Sequence, residues 1–340
     1  MIDETTPAAA LRRLMRGESL SRAETEELFG RLMDGQISDP LKAALLVALA
    51  MKREHPQEIA GAAAAMRART VRIPHRREGI VDTCGTGGDG MGTFNISTAA
   101  ALVAAAAGAP VAKHGNRSVS SRSGSADVLA ALGINLEISP ERAGAALDEV
   151  GIAFLFAPRL HPAMREVMPV RRELGVRTIF NLLGPLTNPA GARRQLMGVY
   201  APELVEVVAR VLAELGSEHA LIVHGSDGLD EITTTGPTSI GEVRGGEVRT
   251  YELRPEEVGV PRAGAAALQG GDPEHNAALL REILAGVGGP LADVVALNAG
   301  AALYVAGRAP DIAAGVVLAR QTMSSGAAAR RLEELRRFTA

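Results

Sequence analysis

Five glycines fall at 85–92, within the stretch Asp82-Thr83-Cys84-Gly85-Thr86-Gly87-Gly88-Asp89-Gly90-Met91-Gly92-Thr93-Phe94-Asn95-Ile96-Ser97-Thr98. Such a loop lets backbone N–H groups converge on an anion with no Cβ in the way. The apolar run before it reads as a buried strand and the alanine-rich run after it as a helix. The free N–H groups and positive dipole end of that helix add to the same place. Asn95, Ser97 and Thr98 bring side-chain donors and capping oxygens there. Two common phosphate motifs do not fit. Gly85-x-Gly87-x-x-Gly90 is formally a dinucleotide fingerprint, but residues 105–114 lack the acid that should follow to hold the ribose hydroxyls. A P-loop needs Gly-Lys-Ser/Thr, which is absent. A phosphate cradle of another type remains, with a tight strand-to-helix turn as the plain structural alternative. A turn has no need of the Asn/Ser/Thr cluster.

A second polar stretch runs Lys113-His114-Gly115-Asn116-Arg117-Ser118-Val119-Ser120-Ser121-Arg122-Ser123-Gly124-Ser125-Ala126-Asp127. Its cations, amide and hydroxyls suit a multiply charged phosphate, and they equally suit a solvated serine-rich loop. Each stretch follows a strand, and ligands of α/β sheets bind at the carboxyl ends of strands, so the pair is a stronger signal than either member. A third stretch, 224–232, contains the adjacent carboxylates Asp230 and Glu231. Hard oxygen ligands of this kind suit Mg²⁺; an isolated Asp-Glu pair reads as a solvent-facing turn. A fourth comprises His161-Pro162, Arg165, Arg171-Arg172 and Asn181-Leu182-Leu183-Gly184-Pro185-Leu186-Thr187-Asn188-Pro189. An arginine here could fork onto a carboxylate, although Arg172 reads as a solvated helix surface and His161 as a structural histidine. The Gly-Pro and Asn-Pro pairs mark rigid turns.

The elements that must carry these groups follow from periodicity. Residues 1 to 75 show helices only. Ser21-Arg22-Ala23-Glu24 is a capping-box pattern, with Leu28, Leu32 and Met33 on one face. Asp39-Pro40 reads as a cap followed by a proline at the first helical position, and 56–69 as a further helix. Beyond Ile73-Pro74 the texture changes. Strands are expected at 79–83, 111–112, 153–156, 196–200 and 220–224. Helices are expected at 98–107, 126–132, 140–150 and 202–215. That alternation predicts a parallel or mixed sheet with helices on both faces. Residues 240–253 read as a hairpin turning at Gly245-Gly246, and the C-terminal third as helices.

The 340-residue chain, 46% hydrophobic, can bury a large core, and two domains, or one large α/β domain with an attachment, are expected. A net charge of −3 argues against a polyanion-wrapping protein. Cys84 is the one cysteine, so no intramolecular disulfide forms, in keeping with a reducing cytoplasm. The first residues lack the basic region of a signal peptide, and no apolar run is long enough to span a bilayer. Lysine occurs only at Lys42, Lys52 and Lys113. A lysine kept inside a polar loop, against so strong an arginine bias, draws attention to Lys113.

Together the four stretches resemble the anthranilate phosphoribosyltransferases: Gly85-Thr86-Gly87-Gly88-Asp89 is similar to that family's diphosphate loop, 113–121 to its second phosphate and ribose loop, 171–189 to its anthranilate-side helix and turn, and Leu229-Asp230-Glu231 to its metal-binding acids. The resemblance implies an α/β protein with a small N-terminal helical domain (1–75, joined by 165–190) and a larger α/β domain (76–164 and 191–340) around a mixed, mostly parallel sheet. It implies transfer of phosphoribosyl from phosphoribosyl pyrophosphate to the amine of anthranilate, releasing pyrophosphate, in tryptophan biosynthesis. Phosphoribosyl pyrophosphate would be met by Gly85, Gly88, Asp89, Thr93, Asn95, Ile96, Ser97, Thr98, Lys113, His114, Gly115, Asn116, Arg117, Ser118, Val119, Ser120, Ser121 and, more weakly, Ser125. Anthranilate would be met by Gly85, Asn116 and Arg171, and two Mg²⁺ ions per site by Ser97, Asp230 and Glu231. No general base is assigned; Lys113, Asn116 and Arg171 position and polarise. A cytoplasmic homodimer associating through the helical domain is also implied, with no nucleic acid and no membrane as partner. The rival readings are a pyrimidine nucleoside phosphorylase of the same architecture and a non-catalytic nucleic-acid-binding paralogue.

Overall fold

The computed structural model describes residues 6–117 and 123–340. Its centre is a seven-stranded sheet built from β1 (Val81–Thr83), β2 (Val111–Gly115), β3 (Ile152–Phe156), β4 (Arg194–Gly198), β5 (His219–Gly225), β6 (Thr238–Arg244) and β7 (Glu247–Leu253), in the order β3-β2-β1-β4-β5-β6-β7. The first five strands are parallel; β5, β6 and β7 pair antiparallel. The β6–β7 turn falls on Gly245 and Gly246, both with positive φ (61° and 87°), the backbone a two-residue hairpin requires.

Side chains alternate across the sheet. Val81, Val111, Leu196, Leu221 and Val223 face one apolar cluster, which includes the helices Ile96–Ala106 and Pro290–Val305. Ala112 and Ala153, and Met197, Ala220 and Ile222, face two clusters on the other side. Both faces are covered, as parallel strands demand.

Four helices, Pro7–Met15, Arg22–Met33, Asp39–Lys52 and Pro56–Arg67, precede the sheet. The capping box at Ser21 and Glu24 forms, with Glu24 N–H donating to Ser21 Oγ (3.3 Å) and Ser21 N–H to Glu24 Oε2 (2.7 Å). Asp39 is not the cap the dipeptide suggested. It is the first helical residue, with Ser38 before it, and its carboxylate accepts from Lys42 Nζ instead (2.9 Å). Val167, Val170, Ile179, Phe180 and Leu183, from the middle of the chain, share one apolar cluster with Leu28, Leu32, Leu45, Leu49 and Ile59. Phe180 meets Phe29 with ring centroids 5.6 Å apart. No helix among the described residues is long and apolar enough to cross a membrane.

The strand order carries a consequence for function. From β1 the chain winds outward through β2 to β3, then returns to the other side of β1 for β4 and β5. The winding therefore reverses between β1 and β4, and the crevice outside their carboxyl ends is where such sheets hold ligands.

Candidate functional site

Three of the polar stretches meet at that reversal. The glycine loop leaves β1 and is pinned across the gap to β4 by Thr86 N–H donating to Gly198 O (2.9 Å). The stretch after β5 swings back over the same point. Asp230 Oδ2 accepts from Gly87 N–H (2.7 Å), Asp230 N–H approaches Asp89 Oδ2 (3.5 Å), and Glu231 Oε1 accepts from Ser97 N–H (3.1 Å). Close approach explains two glycines. A Cβ on Gly85 would lie 2.7 Å from Asp230 Oδ2, and one on Gly198 would collide with the Asp230 carbonyl. The helix begins at Ile96, two residues before the expected start, so Ser97 and Thr98 sit in its first turn.

Lys113, on β2, is buried beneath this junction. Its ammonium donates to Thr83 O and to Ser97 Oγ (3.1 Å). Opposite it stand Asp89, Asp230 and Glu231, the last two carrying strongly disturbed acidities. Burial, then repulsion from Asp89 and Glu231, pushes the Asp230 carboxyl well above its ordinary value. Burial pushes Glu231 up to about 7, with Lys113 and the Ser97 hydrogen bond pulling the other way. Three acids thus crowd together, and Lys113 relieves Glu231 alone among them, leaving negative charge uncompensated in a low-dielectric pocket.

The other expected residues are distributed around this centre. Thr93 pairs in an isolated bridge with Gln269. Asn95 donates to Ser123 O (3.1 Å) and accepts from Asn276 Nδ2 (3.0 Å), which ties the cradle to the helix Pro273–Leu284. The Thr98 hydroxyl is buried with no partner among the described residues. Gly88 lies at the exposed rim, where Arg177 donates to its carbonyl. Gly115 packs against Ser125 and Phe154. Asn116 is exposed; its carbonyl accepts from Ser125 Oγ (3.3 Å), and its Oδ1 from Arg117 N–H (2.7 Å). Arg117 pairs with Asp127 (3.1 Å). Ser118, Val119, Ser120 and Ser121 lie outside the described residues.

Arg171, on the helix Met168–Leu174, rests over the Phe180 ring at 5.6 Å, and its one hydrogen-bonding side-chain contact among the described residues is to the Met168 sulfur at 3.8 Å. Burial lowers its pKa. A guanidinium in this setting has the chemistry to fork onto a carboxylate. Arg172 is exposed.

His114 is occupied structurally. Its backbone N–H donates to Asp82 Oδ1 (3.1 Å), Nδ1 bonds Gly184 O (3.1 Å), and Nε2 meets His161 Nε2 (3.1 Å). Burial and then His161 push its pKa down to about 3, and burial pushes His161 to about 4. Asp82, Cys84 and His114 bring ligand-type atoms within 4.8 Å of one another. Asp82 is nevertheless consumed by His114 and by Asn188 Nδ2 (2.7 Å), and burial holds the Cys84 thiol well above its usual pKa. Asp82 and His114 thereby lock β1 to β2 and to the 184–188 turn.

Sequence reasoning gave Asp82, Asn188, Asn276 and Arg177 no part in the site. Asp82 and Asn188 lie inside two of the polar stretches, at a strand and a rigid turn, but nothing linear marks their mutual bond. Arg177 lies two residues past Gly175, is stacked 4.1 Å over Tyr200, and clamps Gly88. Its reach was not legible because 89 residues separate the partners.

A glycine-rich loop and an acidic cluster thus meet at a winding reversal of an α/β sheet, beside a helical unit. Residues 77–329 match the α/β-domain model of a glycosyl transferase family, and residues 8–70 its helical-bundle-domain model. An anthranilate phosphoribosyltransferase from Symbiobacterium thermophilum is 54% identical over 97% of both chains, and one from Rubrobacter xylanophilus is 55% identical over 97% of this chain and 96% of its own. The crystal structure of anthranilate phosphoribosyltransferase from Thermus thermophilus, 52% identical, superposes with a TM-score of 0.92 over 97% of this chain and 99% of that one. The Saccharomyces cerevisiae enzyme, solved in complex with PRPP and Mg, is 26% identical, with a TM-score of 0.88 over 99% of both chains. The chain belongs to the anthranilate phosphoribosyltransferase family.

Proposed function

We infer that the family reaction, transfer of phosphoribosyl from phosphoribosyl pyrophosphate to the amine of anthranilate with release of pyrophosphate, takes place at the β1–β4 reversal. The observation that carries this is the uncompensated set Asp89, Asp230 and Glu231 facing a glycine-rich N–H cradle. Carboxylates so crowded fit a hard divalent cation, and Mg²⁺ bound to one or two of them shares the oxygens of a substrate phosphate. Ser97, Asp230 and Glu231 are the residues that would hold it, two ions per site being the finer assignment. When bound, magnesium supplies charge stabilisation for the departing pyrophosphate.

The chain's own residues do the rest. The N–H groups at Gly85 and Gly88, the first turn at Ile96, Ser97 and Thr98, and the side chains of Thr93 and Asn95 receive the diphosphate, while the Asp89 carboxylate, an acceptor only, meets the substrate through its hydroxyls or through the cation. Their donors are fixed before reaction, so they stabilise developing charge without reorganising. Lys113 is held by Thr83 and Ser97 at the base of the cradle. His114, Gly115, Asn116, Arg117 and Ser125, with the adjoining 118–121, frame the ribose side. Gly85, Asn116 and Arg171 receive anthranilate, Arg171 through the acid's carboxylate. Aromatic-amine attack on the anomeric carbon requires no protein nucleophile, and His114, kept neutral with its nitrogens engaged, supports leaving the general base unassigned.

The packing of 167–186 on the first four helices supports a helical unit of 1–75 plus 165–190, with 76–164 and 191–340 as the α/β unit. Met15, Met51 and Met168, exposed on that helical unit, support self-association through it. The reading places the protein in the cytoplasm. Mixing it with anthranilate, phosphoribosyl pyrophosphate and Mg²⁺ should quench anthranilate fluorescence. An unchanged signal, or phosphate-dependent thymidine cleavage instead, sinks the reading.

A further inference from the structure

A polar cavity of about 490 Å³ opens at the opposite end of the sheet, lined by Arg194, His219, Arg244, Tyr304 and Arg308 among others. Arg194 and His219 are the first residues of β4 and β5, and Arg244 the last of antiparallel β6. The reaction cleft lies at the carboxyl ends of β4 and β5. At about 3.3 Å per residue, strands of five and seven residues put the two openings roughly 15–20 Å apart.

Behind the lining residues His219 and Tyr304 sits a further acid, and it is neutralised. Glu242 is buried and accepts from His219 Nε2 (3.0 Å), Tyr304 OH (2.7 Å), Arg249 (2.8 Å) and Tyr251 OH (3.0 Å). Burial alone would raise its pKa, but these donors hold it down to about 2. His219 and Tyr304 meet edge to face, with ring centroids 4.7 Å apart. At the wall, Glu218 is shared by Arg193 (3.3 Å) and Arg194 (3.2 Å), and Arg194 is further fixed to Ala306 O (2.7 Å). Arg244 and Arg308 are left over. Among the described residues neither forms an ion pair; Arg244 reaches only the Tyr304 hydroxyl (3.4 Å). Arg308 follows the glycine that ends the helix Pro290–Val305, so its backbone is set by Gly307 N–H to Tyr304 O (2.9 Å) and its own N–H to Leu303 O (2.8 Å). Guanidinium groups from three separate elements thus border one cavity of ligand-binding size, over a preorganised aromatic floor.

We propose that this cavity is a second ligand site, separate from the reaction cleft, which takes a small multivalent organic anion through Arg244 and Arg308. Phosphate esters and polycarboxylates share that chemistry, and the test separates them. The full-length protein, labelled at histidine Cε1, is titrated at fixed pH and ionic strength with inorganic phosphate in one arm and tricarballylate in the other, and the ring signals of His219 and His114 are followed by NMR. His219 is assigned by its loss in His219→Gln. The expected result is a saturable shift of His219 in at least one arm. Phosphate alone identifies a phosphate-ester site, and tricarballylate alone a polycarboxylate site. Arg308→Glu should weaken the His219 response about tenfold or more, Arg244→Ala should weaken it likewise, and turnover in Arg308→Glu should be unchanged. A His219 signal that moves in neither arm, or that titrates in both variants with the wild-type midpoint, overturns the proposal. His114 reports the reaction cleft in the same sample, so a failure there is read independently.

Discussion

The chemistry of this chain concentrates in a few residues whose charge does not balance. Asp230 and Glu231 are held against Gly87 and Ser97 by good hydrogen bonds, yet burial and then repulsion from Asp89 raise both pKa values. Glu231 has a folded value of about 7, above its ordinary 4.5, so its stabilising contribution is present below pH 4.5 and is lost as pH rises through about 7. The metal-free protein should therefore lose melting temperature over that window, with added Mg²⁺ restoring it most above pH 7; differential scanning calorimetry with and without Mg²⁺ checks this. The double change Asp230→Asn and Glu231→Gln should act oppositely on stability and activity. Removing two buried like charges should stabilise the metal-free fold at pH 8 by about 1–3 kcal/mol, while turnover at saturating Mg²⁺ falls on the order of 100-fold or more. Intact turnover would remove both acids from the metal site. Arg171→Ala should raise the KM for anthranilate about tenfold or more, as loss of a charge-assisted pair does, and leave the KM for phosphoribosyl pyrophosphate nearly unchanged.

At the scale of elements, the site depends on how closely strand and loop approach. β4 contributes no side chain to the cradle, yet Gly198 at its end accepts from Thr86 N–H and lies flush against the Asp230 carbonyl. Its Cβ space is taken by backbone, which cannot swing aside as a flexible side chain would. Gly198→Ala should cost about 1–3 kcal/mol in chemical denaturation and depress kcat more than the stability loss explains, because Asp230 moves with its backbone. A variant with wild-type kcat and Tm would show that the loop relaxes freely. Gly87, exposed with φ of 66° and nothing near its missing Cβ, is held to glycine by conformation instead.

At the scale of the molecule, a pair of neutral histidines joins the parts. His114 on β2 reaches Gly184 O and His161, and His161 Nδ1 meets the Thr70 hydroxyl (3.1 Å), just beyond the fourth helix. Both folded pKa values, about 3 and about 4, lie below the ordinary 6.5. The stability they contribute is present above pH 6.5 and is lost as pH falls toward those values. By pH 5 each histidine should have forfeited about 2 kcal/mol. His161→Asn should flatten the acid limb of the melting profile between pH 6.5 and 4, and an unchanged limb would assign it to the carboxylates.

Much of the molecule was legible in the linear chain because its signals are local. Apolar runs bounded by glycine and proline marked the parallel strands, and Gly245-Gly246 marked the hairpin. The glycine density at 85–92 can mean only a turn or an anion cradle, since no other use of the backbone needs so many missing Cβ atoms. Asp39 was misjudged by one position, because a cap and a first helical residue have the same preceding chain. Strand order, by contrast, is decided by which faces bury each other. It is the return of β4 to the flank of β1 that brings Asp230 and Glu231, 143 and 134 residues distant, onto Gly87 and Ser97. Likewise the Asp82–Asn188 bond, the Arg177 clamp on Gly88 and the arginine-lined cavity at the far end join groups with no shared periodicity. The sequence by itself determined which residues could hold a phosphate and a metal. Only the tertiary structure decided that they face one another, because burial and charge compensation act across space rather than along the chain.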